Sequence, residues 1–279
     1  AEPVMLTIAG GVAGIGVARV LMKVMSTEVS VNNGSALQVL GGRSTEPPSW
    51  SPSGALLTFV DHGGPDDIYG GRIRIRTESG TEHRLLAEQD EYDMVDAPRF
   101  DRDEAWVYFA GFTSWPSIMR APVSGGLAET VVARDPEGYG GFYEPAPSPN
   151  GRYLAYVAYA NCCDVNGVRI RDLVTGQTAQ GPVLWNPRWI GKSGTIIGYR
   201  ELDTPGFVEV RPDGSIVRGV PFALFGASPF DVSPDGRWII VSTNLDTFGP
   251  RQLILFDLET GLRLPLGYSA DMGAPAWKP

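Results

Sequence analysis

The side chains in this chain that could do chemistry are few, and they lie in short polar segments between apolar runs. There are only two histidines, His62 and His83, and neither belongs to an HExxH or a G-x-S-x-G pattern. His62 lies among carboxylates in VDHGGPDD, where an imidazole could bind a ligand or move a proton, although a solvated loop histidine has the same surroundings. His83 lies in a polar segment that indicates an outer surface. A triad hydrolase would need one of these two rings, which argues against that class of enzyme.

Two adjacent cysteines, Cys162 and Cys163 in NCCDVN, are the only cysteines of the chain. Neighbouring cysteines can form a strained vicinal disulfide, and an exported protein without a third cysteine favours that bond. A reduced pair in a cytoplasmic protein is the alternative. The first residues, AEP, resemble a mature end left by removal of a signal peptide, although a trimmed chain would begin the same way. Together these features predict a periplasmic or extracellular protein.

Carboxylates are the most abundant charged groups. The chain has 23 lysines and arginines against 32 aspartates and glutamates, a net charge of −9. This charge makes nucleic acid a poor partner and suits a basic or amphipathic protein, or a metal ion. The acidic stretch EQDEYDMVD at 88–96 lacks the glycine and spacing of an EF-hand, so we predict no cofactor, with calcium there as the alternative. The uncharged segment 4–18 is too short to span a bilayer, so no transmembrane segment is predicted.

A repeated segment determines where these groups lie. WSPSGALLTFV, PSPNGRYLAYV and VSPDGRWIIVS are its clearest copies. Successive copies are 42 to 50 residues apart, which is the spacing of four-stranded propeller blades. The pattern is anchored at Trp50, Phe100, Pro147, Trp189, Val232 and Trp277.

Each copy has the pattern of one blade. A short first strand ends at the anchor, and SPSG, SPNG or SPDG supplies a tight turn because proline presets φ and glycine tolerates positive φ. An apolar run such as LLTFV then predicts a second strand that is buried on both faces. A third strand, a TG or SGG turn and a more polar fourth strand complete the unit.

The two ends of the chain complement each other. The sixth anchor, Trp277, has no strands after it, and residues 1–46 have no anchor before them. VMLTIAG, ARVLMKV and ALQVLGG in the first segment have the character of three strands. We therefore predict an all-β fold, a single domain over residues 1–279 with six four-stranded blades. The sixth blade would combine residues 1–46 with 272–279, so that N- and C-terminal strands share it and close the ring.

These motifs resemble the blade motif of the TolB-type six-bladed β-propeller family, a WD-like propeller repeat, over essentially the whole chain. FDRDEAW in the second copy departs from the motif, and WIGKSG in the fourth carries one extra residue. The resemblance implies the propeller fold but little of the activity, since the motif occurs in unrelated contexts. The α/β domain that precedes the propeller in TolB has no counterpart in this sequence, so TolB's own role is not inferred.

Propeller topology assigns the unusual residues to one end of the fold. Connections between blades, and between second and third strands, open at one end, opposite the SPDG and TG turns. Irregular loops on a rigid scaffold commonly carry function, and aromatic rings among carboxylates suit a basic or amphipathic partner. We expect the following residues at that end to bind a partner: Asp61, His62, Asp90, Glu91, Asp93, Tyr139, Phe142, Tyr143 and Asp164.

Two classes of function are consistent with this pattern. The first is a non-catalytic, exported binding or scaffold propeller that recognises a protein partner, as a subunit of a larger envelope or extracellular assembly. The second is a hydrolase or lyase that acts on carbohydrate or peptide through carboxylates at the channel mouth, with or without calcium. The lack of a histidine constellation favours the first, so no catalytic residue is predicted.

Overall fold

The computed structural model describes residues 7–8, 18–21, 48–61, 71–86, 92–112, 115–134, 140–160, 165–191, 193–200, 205–222, 229–244, 251–269 and 275–278. The regular elements within these ranges are β-strands, as the sequence predicts for an all-β protein. No helix in the described ranges is long and apolar enough to cross a membrane.

Two short strands are followed along the chain by five four-stranded antiparallel sheets, which we number as blades 1 to 5. The short strands are β1 (Thr7–Ile8) and β2 (Ala18–Leu21). Blade 1 contains β3 (Ser49–Trp50), β4 (Leu56–Asp61), β5 (Arg72–Thr77) and β6 (Glu82–Arg84). Blade 2 contains β7 (Met94–Phe100), β8 (Trp106–Phe112), β9 (Pro116–Pro122) and β10 (Glu129–Val132).

The other three blades have the same construction. Blade 3 contains β11 (Phe142–Pro147), β12 (Tyr153–Tyr159), β13 (Val165–Asp172) and β14 (Thr178–Gln180). Blade 4 contains β15 (Trp185–Ile190), β16 (Thr195–Arg200), β17 (Gly206–Val210) and β18 (Ile216–Pro221). Blade 5 contains β19 (Phe230–Val232), β20 (Trp238–Asn244), β21 (Arg251–Asp257) and β22 (Arg263–Ser269).

The strands of each blade run in chain order from the centre outwards. The first strands of neighbouring blades contact one another, from β3 through β7, β11 and β15 to β19. The fourth strands are the most exposed strands of each blade; β18 is exposed at nearly every position, Ile216 and Val217 included. This gradient from buried first strands to exposed edges is the layout of a propeller.

The tight turns form as the motif predicts. In blade 3, Ser148 Oγ accepts a hydrogen bond from the backbone N–H of Tyr153 at 2.8 Å, and Gly151 has a φ of +73°. Blade 2 lacks both residue types but keeps the turn. Asp101 replaces the serine and accepts hydrogen bonds from two backbone N–H groups at 2.8 and 3.0 Å, and Glu104 adopts the positive φ at +55°.

Hydrophobic clusters between consecutive blades hold the sheets together. Between blades 4 and 5, the fully buried ring of Phe207 contacts those of Phe222, Phe230 and Phe256 at centroid distances of 5.2, 5.0 and 5.8 Å. Between blades 1 and 2, Phe109 is buried completely. Each such ring stabilises the fold by roughly 1.5–3 kcal/mol relative to exposure, so the interfaces between blades form the core.

The C-terminal strand β23 (Ala276–Lys278) forms a three-stranded sheet with β2 and β1. β2 pairs antiparallel with β23, with Val20 opposite Trp277. β23 also contacts β19 of blade 5 and β3 of blade 1. Trp277 donates its backbone N–H to Asp231 Oδ2 at 2.7 Å and its Nε1–H to Asp231 O at 3.3 Å. The two ends of the chain therefore meet beside blades 1 and 5.

The predicted propeller fold with four-stranded blades is confirmed. The predicted number of six such blades is not. The described residues contain five four-stranded blades, and the remaining sheet has three strands. β1 and β2 lie in the predicted strands VMLTIAG and ARVLMKV. The predicted strand ALQVLGG lies outside the described residues, so a fourth strand of this sheet is not described.

Candidate functional site

The two ends of the blades differ in character. At one end lie the connections between blades and between second and third strands, and we call it the loop end. At the other end lie the short turns between first and second strands and between third and fourth strands, and we call it the turn end. The sequence predicts a binding surface at the loop end, where irregular segments concentrate.

Four of the predicted binding residues are described. Asp61 accepts a hydrogen bond from Arg74 Nε at 2.9 Å, an ion pair within blade 1. Asp93 is exposed just before β7. Phe142 packs into the hydrophobic cluster between blades 2 and 3. Tyr143, the next residue along β11, joins a different group of rings at the loop end.

The remaining predicted binding residues, His62, Asp90, Glu91, Tyr139 and Asp164, lie outside the described residues, as do Cys162 and Cys163. The vicinal disulfide therefore stays a prediction, which intact-mass measurement after alkylation without reductant would decide. The described part of the chain holds no group of three or more His, Cys, Asp or Glu side chains arranged for a metal ion. The acidic stretch 88–96 is described only from residue 92, so the calcium alternative stays open.

Four aromatic rings form a continuous row at the loop end of blades 2 to 4. Phe112 contacts Tyr143 at a centroid distance of 5.3 Å, and Tyr143 contacts Tyr159 at 4.6 Å. Tyr159 contacts Trp185 at 5.6 Å. The rings come alternately from the ends of second strands and the starts of first strands, so neighbouring blades bring them together. The last three are half-buried, which leaves part of each ring in contact with solvent.

Two carboxylates, Glu144 and Asp96, adjoin this row of rings. Burial, and then the charges of Glu144 and Asp96, raise the pKa of Tyr159 above its usual range, so its phenol stays protonated and can donate a hydrogen bond. Glu144 Oε2 accepts a hydrogen bond from the backbone N–H of Asn186 at 2.6 Å, which links blade 3 to blade 4. We call the four rings and the two carboxylates the aromatic–acid cluster.

A recurring β-bulge positions the cluster on its strands. Ala97, Glu144 and Asn186 have φ angles of +48°, +52° and +51°, and each precedes a proline. The strand register shifts at all three places. A left-handed conformation costs a non-glycine residue about 1–3 kcal/mol, and bulges of this kind redirect side chains near binding sites. Here the bulge separates the residues of the cluster from those that line the centre of the propeller.

A cavity of about 340 Å³ lies between the first strands at the turn end. All five four-stranded blades and Trp277 of β23 contribute to its lining, and we call it the central cavity. Arg99 and Arg188 are buried there beside Asp231, with Arg188 Nε 3.6 Å from Asp231 Oδ1. Burial, and then the charge of Arg188, lower the pKa of Arg99 to about 9. Burial also lowers the pKa of Arg188, although both guanidiniums remain charged at neutral pH.

Sequence reasoning missed Phe112, Tyr159 and Trp185, and it missed the two buried arginines. The available signal was the aromatic residue that ends the apolar runs YFAGF and YVAY and the one that starts WNPRW. The arginines stand directly before the anchors in PRF and PRW. Both the arginines and the anchors that follow them line the central cavity.

Comparisons with known proteins support the fold. No protein-family model matches the sequence, and no curated protein matches it. A putative TolB from Agrobacterium tumefaciens is similar in structure, with 17% identity over 82% of each chain and a TM-score of 0.66. TolB from Acinetobacter baumannii has 15% identity and a TM-score of 0.64; the match covers 84% of this chain and 57% of that chain.

An enzyme also has a similar structure. An oligogalacturonate lyase in complex with manganese has 12% identity and a TM-score of 0.55, over 82% of this chain and 66% of that chain. Likenesses at such low identity show the fold alone. The chain is therefore an all-β propeller with four-stranded blades, similar in fold to TolB-type propellers.

Proposed function

We propose that this chain is a non-catalytic binding propeller that recognises a basic or amphipathic protein segment at its loop end. The observation that supports this proposal is the aromatic–acid cluster. Its half-buried rings offer flat apolar surface, and its carboxylates lie beside them. An aromatic face attracts a lysine or arginine by about 0.5–2 kcal/mol, and a nearby carboxylate adds charge-assisted hydrogen bonds.

The net charge of the chain supports the same kind of partner. At −9, the chain attracts a cationic segment over distances of about a Debye length, roughly 8 Å at physiological salt. Asp93, exposed at the loop end, adds to this attraction. Charge would therefore speed encounter, and the rings would supply the buried anchor that slows dissociation.

The binding proposal is tested with peptides rather than with an unidentified partner. Surface plasmon resonance would compare basic amphipathic peptides with versions in which glutamate replaces each lysine. We expect only the basic peptides to bind. Tyr143→Ala should weaken binding about 10-fold, mainly through faster dissociation. Glu144→Gln should slow association and reduce its salt dependence.

The matched control is Tyr153→Ala. Tyr153 is also half-buried and stacks on Trp189 at 6.1 Å, but it lies at the turn end and outside the cluster. Its loss should leave peptide affinity unchanged. Equal binding of acidic and basic peptides, or unchanged binding by both cluster variants, would contradict the proposal.

The extent of the domain and the number of blades are part of this proposal as well. We propose one domain over residues 1–279, with a sixth blade made from residues 1–46 and 272–279. The pairing of β2 with β23, and the contacts of β23 with blades 1 and 5, support it. We also propose a periplasmic or extracellular location, where the protein would serve as a scaffold or a subunit of a larger assembly.

The alternative function is a hydrolase or lyase that uses the loop-end carboxylates on carbohydrate or peptide. The structural likeness to an oligogalacturonate lyase supports keeping it. Incubation with acidic and neutral oligosaccharides and with peptides, with and without calcium, would test it by mass spectrometry. Product formation that Glu144→Gln abolishes would favour an enzyme over a binding protein.

A further inference from the structure

A charged groove lies between the third and fourth strands of blades 2 and 3, further from the centre than the aromatic–acid cluster. Tyr108 of β8 and Tyr156 of β12 pack in the hydrophobic cluster between these two blades. Arg120 of β9 stands directly opposite Tyr108, and Arg169 of β13 stands directly opposite Tyr156. Opposite residues of antiparallel strands share a face, so each arginine faces the neighbouring blade. The charged residues that the outer strands place in this groove, which we call the outer groove, are Arg120, Glu129, Arg169 and Arg171.

The outer groove is positive in a negative chain. Its three arginines and one glutamate give a local charge of +2, against −9 for the whole chain. Arg120 pairs with Glu129, but in the part of the chain that the structure describes no carboxylate pairs with Arg169 or Arg171. Two neighbouring cations that lack a carboxylate partner attract an anionic ligand.

The two guanidiniums are within reach of a ligand. Arg169 and Arg171 are both half-buried, and neither has a side-chain nitrogen that is closed to solvent and also without a partner. Tyr156, only 3% exposed, lies close to both of them. Burial raises the pKa of its phenol, while a hydrogen bond with Thr178 and the charges of Arg171 and Arg169 act in the opposite direction. The outer groove therefore combines an apolar floor with accessible positive charge.

The two guanidiniums point towards opposite ends of β13. Arg169 Nη1 donates to the carbonyl of Asn166 at 3.2 Å, near the start of the strand. Arg171 Nη2 lies beside the turn after the strand, 3.9 Å from the position that a Cβ on Gly176 would occupy. A single phosphate group would meet both guanidiniums only if the two side chains turned towards each other. Two separate carboxylates fit this arrangement better.

The spacing of the arginines matches that of an extended peptide. Residues two apart on a strand leave the same face about 6.6 Å apart, and an extended peptide repeats its own side chains at the same interval. Clusters of arginine recognise acidic segments through charge-assisted, often bidentate hydrogen bonds. We propose that the outer groove binds an extended acidic segment of another protein, whose carboxylates on alternate residues pair with Arg169 and Arg171. This site takes the opposite charge from the loop end, so the two proposals are independent.

The test uses capped six-residue peptides and isothermal titration calorimetry on the whole chain at low salt. TETETT carries two glutamates on alternate residues, TTEETT carries the same two side by side, and TQTQTT carries none. We expect TETETT to bind saturably at one site and more weakly as salt rises. TQTQTT should bind at least about 10-fold more weakly, and TTEETT about 3-fold more weakly. Failure of TETETT to bind, equal affinity for either comparison peptide, or displacement by equimolar inorganic phosphate would overturn the proposal.

Three variants and a control connect binding to the outer groove. Arg169→Gln and Arg171→Gln should each weaken TETETT binding at least about 5-fold. Glu129→Gln should strengthen it about 3-fold, because it removes the carboxylate that competes for the arginines, whereas a merely structural change would not raise affinity. The matched control is Arg211→Gln, which alters an exposed arginine of blade 4 whose Nη1 donates to Ser215 Oγ in its own turn at 3.4 Å. This control should bind TETETT like wild type.

Two further outcomes keep the test decisive. If an arginine variant unfolds, the sign of the Glu129→Gln effect still decides, and unchanged or weaker binding by that variant would overturn the proposal. Tyr143→Ala, which tests the loop end, should leave TETETT binding unchanged, and loss of binding there would place the acidic peptide at the wrong site.

Discussion

Single residues at one repeated position determine the character of the propeller's centre. The position before each anchor holds Arg99, Arg188 and Asp231 in blades 2, 4 and 5, but Ser49 and Ala146 in blades 1 and 3. The charged side chains of blades 2, 4 and 5 therefore share the centre with the small ones of blades 1 and 3. The small residues leave the volume of the cavity, and the charged ones determine its electrostatic character. The same position can thus supply either open volume or charge without any change in the strands of the blade.

The stability of the repeated turn should depend on Gly151, which lies between the first and second strands of blade 3. Gly151 has a φ of +73°, and among the described residues beyond its chain neighbours a Cβ added there would meet only the side chain of Arg102, at 3.9 Å. Gly151→Ala should therefore lower the free energy of unfolding by about 1 kcal/mol through backbone strain alone. Urea denaturation would measure it.

The control for this substitution is Gly219→Ala in β18. Apart from its chain neighbours, no atom of the described residues lies within 4 Å of the added Cβ there, and the residue is outside the left-handed region. Its free energy of unfolding should stay the same or rise. Equal losses at both glycines would show that backbone conformation is not what the turn requires.

At the scale of elements, an ion pair repeated in blades 3 and 5 ties each blade together at the turn end. Arg152 Nη2 lies 2.8 Å from Asp172 Oδ2, and Arg237 Nη2 lies 2.8 Å from Asp257 Oδ2. The other carboxylate oxygen of each aspartate accepts backbone N–H groups of the following turn. The arginine follows the first turn and the aspartate precedes the second, so the pair joins the two turns of one blade.

This ion pair makes stability depend on pH. The hydrogen bond from Arg152 lowers the pKa of Asp172 from 3.8 to about 2, with further hydrogen bonds from backbone N–H groups. A carboxyl whose pKa is lower in the folded state stabilises the fold above its unfolded pKa and loses that effect as pH falls. The melting temperature of Asp172→Asn should therefore lie below that of wild type at pH 6, and the gap should shrink between about pH 4 and pH 2.

The matched control is Asp103→Asn. Asp103 is 78% exposed and lies 3.6 Å from Arg102, an arrangement that contributes little to stability. The melting temperature of the Asp103→Asn variant should equal that of wild type at every pH. A gap for Asp172→Asn that is constant from pH 6 to pH 2 would contradict the role of its charge.

The elements themselves could be predicted from sequence because each depends on local chemistry. The SPNG turn, the apolar run of β12 and the polar fourth strand are each encoded within one repeat, and the structure has them there. The row of rings could not be predicted. Phe112, Tyr143 and Trp185 meet only because three blades pack side by side in a particular register. The pairing of Arg188 with Asp231 likewise depends on a distance of 3.6 Å across two blades.

At the scale of the whole molecule, the two ends of the chain share one sheet. Without a further sheet between them, blades 1 and 5 would each expose an apolar face. β23 covers these faces: Ala276 packs with Trp50, Leu57 and Phe59 of blade 1, and Trp277 bonds to Asp231 of blade 5. Loss of this strand should therefore weaken the molecule as a whole rather than one blade.

The corresponding prediction concerns Trp277. The residue is only 6% exposed, and its indole Nε1–H donates to Asp231 O of blade 5 at 3.3 Å, a hydrogen bond that alanine would lose. Trp277→Ala should cost about 3–5 kcal/mol, which corresponds to a melting temperature lower by about 10 °C, and it should broaden the transition as blades 1 and 5 separate. Trp106→Ala is the comparison, because Trp106 is half-buried within blade 2 under Arg120 and should cost clearly less. Calorimetry would measure both. Equal, small shifts for the two variants would mean that the terminal strand does not join blades 1 and 5, and the proposed sixth blade would then be wrong.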